Sequence, residues 1–229
     1  MRLKILLFFF CLSSITYAQN ERRITFNFHL TPKLSFSKSE SRFEIPDYPI
    51  SQQNVLKIDF SSGILMNYKI SEKVFIASGL LYSRDGFKTK TEIYDTMLIK
   101  KNFKESIGWY HFHFINIPTY VKYAFSNNKK YKLLIQSGLE YNYLLSINSK
   151  HKDFINDHVE TWTTKEDFEE TRRHNMSASF GFIFNTHFSN NIGLNIGPTF
   201  EIMLLDLLEG PDKMHLWNLG FSFETFYNF

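Results

Sequence analysis

The last fifteen residues, 215–229 (HLWNLGFSFETFYNF), constrain the fold more than any other stretch. Counting back from the end, Phe229, Tyr227, Thr225, Phe223, Phe221, Leu219 and Trp217 share one face of an extended chain. Asn228, Glu224, Ser222, Gly220 and Asn218 share the other, with Phe226 as the exception. Period-two alternation marks a β-strand held between one apolar and one polar environment. A water-soluble strand shows it too, but rarely with so aromatic a face ending on Phe. A strand in a membrane barrel, with lipid outside and polar groups inside, meets all of these conditions.

The N-terminus agrees with a location outside the cytoplasm. Arg2 and Lys4 precede the apolar stretch 5–12, and Thr16-Tyr17-Ala18 supplies small residues where a signal peptidase cuts. The expected division is a signal peptide at 1–18 and one barrel domain at 19–229. The apolar stretch is shorter than the roughly 20 residues of a spanning helix. Cys11 follows Phe8-Phe9-Phe10, too bulky for lipoprotein processing, and no later window holds 18 uncharged apolar residues. Cleavage leaves 211 residues (229 − 18) without cysteine, so no disulfide, thiol nucleophile or thiolate metal site is expected. The formal charge falls from +3 to +1 with the loss of Arg2 and Lys4. So small a net charge gives no electrostatic case for nucleic acid.

Eight segments repeat the alternation. Residues 24–36 set Ile24, Phe26, Phe28, Leu30 and Leu34 against Thr25, Asn27, His29, Thr31, Lys33 and Ser35. Residues 57–70 set Ile58, Phe60, Ile64, Met66 and Tyr68 against Asp59, Ser61, Gly63, Asn67 and Lys69. Residues 74–82 are apolar on both faces, which leaves their register open. Further segments follow at 110–125, 132–147, 177–188, 192–204 and 215–229. Short polar turns (71–73, 126–130, 189–191) alternate with longer connections (37–56, 83–109, 148–176, 205–213). Short periplasmic turns and long outer loops are the asymmetry of outer-membrane barrels. The expected fold is therefore all-β: an eight-stranded antiparallel up-and-down transmembrane β-barrel with both termini in the periplasm.

Eight strands enclose a space that side chains just fill. Lys33, Asp59, Lys69, Lys122, Glu140, Glu201 and Glu224 fall on the inner face and are expected to interlock as a polar network in the lumen. A solute path along these residues is the second reading. Gly63, Gly79, Gly138, Gly181, Gly197 and Gly220 are also placed inside, where walls approach closely.

Tyr17-Ala18-Gln19 stands at the signal end, and Ile115-Asn116-Ile117-Pro118-Thr119-Tyr120-Val121-Lys122-Tyr123 forms part of the fourth strand segment. Ser137-Gly138-Leu139 follows in a glycine-bearing strand, and the chain closes on Phe229. In these features the chain resembles the small outer-membrane β-barrel proteins of the PorT-like type common in Bacteroidota. The resemblance implies an outer-membrane barrel across the mature chain and transfers no catalytic residue. Tyr227 and Phe229 also look like the C-terminal aromatic signal read by barrel-assembly machinery, which would dock by strand addition. The same aromatics equally serve as interface anchors.

The expected partners are outer-membrane lipid, barrel-assembly machinery, and other envelope proteins through residues 148–176; nucleic acid is not among them. No cofactor is expected. His111 and His113, at i, i+2, share a face that suits a metal, but no third ligand is evident. The carboxylates among residues 151–174, from Asp153 to Glu170, offer a cation site but more simply form a solvated loop. A Ser–His pair with an acidic partner would make a lipid-modifying enzyme, yet no nucleophile elbow or metalloprotease motif is present. A secreted soluble barrel of the calycin kind is the structural rival. The reading carried forward is a non-enzymatic outer-membrane barrel that scaffolds or binds through its loops; the alternatives are narrow porin-like permeation and, third, lipid modification.

Overall fold

A strand with one face in lipid satisfies its backbone only if the sheet has no free edge. The chain meets that demand by closing on itself. The computed structural model describes residues 23–40, 50–93, 103–127, 131–155, 158–166, 171–189, 191–209 and 213–228. Among them are ten strands: β1 (Ile24–Glu40), β2 (Ile50–Val55), β3 (Lys57–Lys69), β4 (Val74–Ile93), β5 (Phe103–Asn127), β6 (Tyr131–Ile155), β7 (His158–Glu166), β8 (His174–His187), β9 (Ile192–Met203) and β10 (Lys213–Asn228). Eight of them form the ring β1-β3-β4-β5-β6-β8-β9-β10, each antiparallel to both neighbours. β1 and β10 seal it, from Thr25↔Asn228 to Glu40↔Lys213.

The other two strands prolong barrel staves. β2 follows the line of β3 across a break at Leu56 and pairs the upper part of β4, from Val55↔Lys88 to Ile50↔Ile93. β7 lies in line with β8 and pairs the upper part of β6, from Ile147↔Glu166 to Ile155↔His158. With β4, β5 and β6 they make a raised sheet beyond the rim. β5 and β6 have 25 residues each, where about 9–11 suffice to cross a bilayer. This corrects three connections read as loops: parts of 37–56, 83–109 and 148–176 are strand.

The opposite end is closed by tight turns. At 70–73 and 188–191 the same device recurs. Ile70 N–H donates to the Val74 carbonyl (3.0 Å) and Val74 N–H to Ser71 Oγ (3.1 Å). Phe188 N–H donates to the Ile192 carbonyl (3.0 Å) and Ile192 N–H to Ser189 Oγ (3.1 Å). Ile24 and Asn228 lie at this end too.

The outward face carries the aliphatic and aromatic residues that the alternation assigned to lipid, among them Phe28, Ile58, Ile64, Ile117, Val121, Phe182 and Phe223, all well exposed. The inward face departs from the uniformly polar one expected. A large apolar cluster fills the loop end of the lumen: Phe87, Phe112, Phe114, Leu144, Ile147, Met203, Leu207 and Leu216. Two smaller ones, around Leu65-Ala77-Leu81-Tyr120 and around Ala124-Leu134-Ile183, lie nearer the turn end. Phe226, the exception in the terminal alternation, points inward; its ring meets His187 edge-on at 5.2 Å and occupies the space a side chain at Gly193 would need.

The inner glycines answer to crowding of a different kind from that expected. A Cβ at Gly63 would collide with the Leu80 carbonyl, and one at Gly138 with the Thr119 carbonyl. The obstruction is the backbone of the adjacent strand, so these glycines permit tight coiling of the wall rather than approach across the lumen.

Candidate functional site

Between the apolar clusters the lumen holds its charged side chains, set on seven staves. Glu224 of β10 is fully buried at its centre. Its carboxylate accepts from Lys122 Nζ of β5 (2.8 and 3.1 Å), Asn27 Nδ2 of β1 (2.8 Å) and Asn195 Nδ2 of β9 (2.9 Å). His29 Nδ1 lies 3.4 Å away, and the other ring nitrogen of His29 is 2.9 Å from Thr31 Oγ1. An anion so deeply placed is tolerated because a cation and neutral donors saturate it. It also binds staves that are not neighbours in the sheet.

A second group sits closer to the loop end. Lys33 of β1 lies between Asp85 of β4 (2.7 Å) and Glu201 of β9 (3.0 Å). Ser83 Oγ donates to Asp85 (2.7 Å), and Asn218 Nδ2 to Glu201 (3.3 Å). Glu140 accepts from the Tyr120 hydroxyl at 2.6 Å. A third group lies at the wall between β3 and β4, where Asp59 accepts from Lys57 Nζ (2.6 Å) and Arg84 Nε (3.0 Å). The cavity between Glu140, Glu201 and His29 is about 20 Å³, room for about one water molecule. Charged and polar side chains fill the lumen around it, and the apolar cluster stands above them.

At the loop end the raised sheet presents a concave inner face. The rings of His151 and Trp162 stack at 4.1 Å and 11°, and Tyr110 meets His151 edge-on at 5.6 Å. Asp153 accepts from Trp162 Nε1 (3.0 Å) and Ser106 Oγ (2.6 Å). His111 and His113 lie on the opposite, outward face. His113 Nδ1 is 2.5 Å from the Tyr82 hydroxyl, and Asn148 Nδ2 is 3.2 Å from its other nitrogen. Among the described residues no group of three or more His, Cys, Asp or Glu side chains is placed to hold a metal.

A closed, turn-capped ring with a lipid-compatible belt is the architecture of an outer-membrane barrel, and residues 17–200 match the model of the outer membrane protein beta-barrel domain family. The chain belongs to that family. This barrel is thus a protein of the outer membrane. No sequence among curated proteins matches it. Among solved structures it is similar to Neisserial surface protein A, at 12% identity over 88% of this chain and 97% of that one, with a TM-score of 0.41. The outer membrane protease OmpT of Escherichia coli gives 9% identity over 90% and 97%, with a TM-score of 0.48. Ail, the attachment invasion locus protein of Yersinia pestis, gives 13% identity over 88% and 99%, with a TM-score of 0.34.

Six of the seven lumen residues expected from the sequence, Lys33, Asp59, Lys122, Glu140, Glu201 and Glu224, are buried or half-buried inside the barrel. They form three groups rather than one. Lys69 stands apart from them. It lies on the inner face at the turn rim, where its ammonium swings outward to Glu72. That neighbouring cation holds the solvent-exposed Glu72 carboxyl below the usual range. Sequence reasoning missed Asp85, Arg84 and Lys57 as partners. The first two lie within a stretch read as loop, and the third begins its strand. Tyr227 faces outward and pairs across to Phe26 and Ile192. Phe229 and the signal segment 1–18 lie outside the described residues.

Proposed function

We propose that this protein is a closed, non-enzymatic outer-membrane barrel of the PorT-like type that conducts no solute and acts through its loop end, scaffolding or binding other envelope components. The observation that carries the reading is double occlusion. The lumen is blocked once by the saturated Glu224–Lys122 group and again by the apolar cluster of Phe112, Phe114 and Leu144. What remains available for recognition is the raised sheet with its Tyr110-His151-Trp162 aromatic wall and residues 148–176. Reconstitution in planar bilayers tests it: the protein gives no steady conductance. A reproducible open channel would overturn the reading in favour of narrow permeation. Capture of envelope proteins from native membranes is expected to fail after deletion of residues 158–166.

The lipid-modifying alternative has one observation in its favour, the chain Thr31–His29–Glu224, which places a hydroxyl, an imidazole and a carboxylate in series. Against it, all three are buried in the lumen with a one-water cavity beside them, and Lys122 already neutralises Glu224. Purified protein is expected to leave outer-membrane lipids unchanged. Assembly is proposed to use the aromatic end of β10: Tyr227→Ala or removal of Phe229 slows insertion by the assembly machinery, read as a lower yield of heat-modifiable protein in the outer membrane.

A further inference from the structure

The two faces of the raised sheet carry opposite charge. Inward, Asp153 and Glu160 face each other across β6 and β7. Outward, the rows immediately above the lipid belt are cationic. On β5 the outward residues from Phe125 to Ile115 are apolar apart from Thr119 and span eleven residues (125 − 115 + 1), about the length that crosses a bilayer. Beyond Ile115 the outward positions turn polar on three strands together, at Arg84 of β4, His113 of β5 and Ser146 of β6, which lie side by side. In the rows above come Lys88 and Lys150, paired on either side of Trp109, and Lys165, which pairs with Asn148 beside His111.

Among the described residues these lysines are engaged with no carboxylate. The outward carboxylate among the described side chains is Glu105, 3.6 Å from Lys90. Lys88 Nζ instead lies 5.3 Å from the Trp109 ring centroid, and Lys150 and Lys165 are exposed. The imidazole of His111 registers the resulting field. Burial first, then Lys57, Arg84, His113 and Lys150, hold its pKa down to about 4. Its buried Nδ1 has no hydrogen-bond partner. With neighbouring strands about 4.8 Å apart, Lys88 and Lys150 stand roughly 10 Å apart across Trp109, and the Lys165 row lies about 7 Å nearer the membrane.

We propose that this outward face is a docking surface for the phosphorylated headgroups of lipids in the outer leaflet. Its position decides the occupant. Lys88 and Lys150 continue the lipid-facing surface of β4 and β6, and Lys165 of β7 lies beside them, so all three look sideways into the headgroup layer rather than up into the medium. Trp109 sits among them as an interfacial aromatic. A headgroup bearing two phosphates matches the spacing of Lys88 and Lys150, while Lys165 reaches the deeper oxygens. The surface rests on the barrel's place in the outer membrane and is independent of whether the lumen conducts.

The test uses full-length protein in nanodiscs of phosphatidylcholine doped with bisphosphorylated lipid A, with bound lipid read by native mass spectrometry. The wild type enriches lipid A over phosphatidylcholine. Each neutralised lysine weakens retention roughly fivefold, and the K88Q/K150Q/K165Q variant loses roughly a hundredfold. The corresponding triple arginine variant retains the lipid, as does D153N/E160Q on the inner face. The proposal is overturned if the triple glutamine variant, with a normal heat-modifiable band, still retains lipid A. It is equally overturned if the wild type, in discs of phosphatidylcholine alone, binds inositol hexakisphosphate as tightly as it binds lipid A. Planar-bilayer conductance of the same variants is expected to stay at zero, so the two readings fail separately.

Discussion

The middle and the loop end of the lumen are filled by opposite means. In the middle, Glu224, Lys122, Asn27 and Asn195 join four staves through directional contacts. At the loop end, Phe87, Phe112, Phe114, Leu144 and Leu216 do the same by contact area. The polar group specifies which staves meet, because each oxygen and each ammonium proton needs its own partner. The apolar group tolerates rearrangement but excludes water. Together they teach that a narrow barrel is held from within as well as by its ladder.

The sharpest way to break the polar half is to remove one charge and leave the other. Lys122→Leu strands Glu224 in the lumen and should cost about 3–5 kcal/mol, measured by urea unfolding of protein refolded in lipid vesicles. Lys122→Leu combined with Glu224→Leu should recover most of the loss, as removal of a whole buried pair usually does. If the double variant is as damaged as the single one, the bonds from Asn27 and Asn195 to Glu224 carry as much of the stability as the Lys122 pairing. The apolar half responds to lost volume: Leu144→Ala should cost about 2–5 kcal/mol in the same assay. It should not open a conducting path, since the Glu224 level remains closed beneath it.

A smaller change probes the boundary between the halves. Tyr120→Phe keeps the ring in its apolar cluster but takes from Glu140 the hydroxyl that donates to it. Loss of a donor to a buried carboxylate should cost about 1–3 kcal/mol. An unchanged unfolding midpoint would mean that Glu140 finds water or another donor. The smallest expected effect lies outside the lumen. His111 should titrate well below 6.5 by NMR, and Lys150→Gln should raise its pKa, because one of the cations disfavouring the imidazolium is gone.

The ring itself was legible because lipid enforces it. Wherever a strand crosses the membrane, every second residue must be apolar, and Ile115, Ile117, Val121 and Tyr123 announce that rule plainly. The raised sheet obeys no such constraint. From Arg84 to Lys90 and from Ser149 to Phe154 both faces meet water or protein, so polar residues stand on both and the period fades. The apolar lumen cluster was hidden by the same logic. Phe112 and Phe114 put large rings on the face assumed to be polar, and around His113 the alternation runs backwards. Lys33, Asp59 and Glu224 were recognisable as inward charges, but not with whom they paired. Partners such as Asp85 arrive from distant sequence through the register of β4.

One unpaired residue governs the upper surface of the barrel. Opposite the step from His113 to Phe114, Leu145 bulges out of the β5–β6 ladder. Below it the even-numbered residues of β6 look inward, as Leu134, Gln136, Glu140, Asn142 and Leu144 do; above it the odd ones do, as with Ile147 and Ser149. Were the ladder to run regularly through Leu145, with no bulge, everything above it on β6 would change sides, turning Lys150 and Lys152 toward the vestibule and His151 and Asp153 toward the lipid. A chain built this way writes its exterior above the membrane in the phase of a single residue, with the closed ring beneath it unchanged.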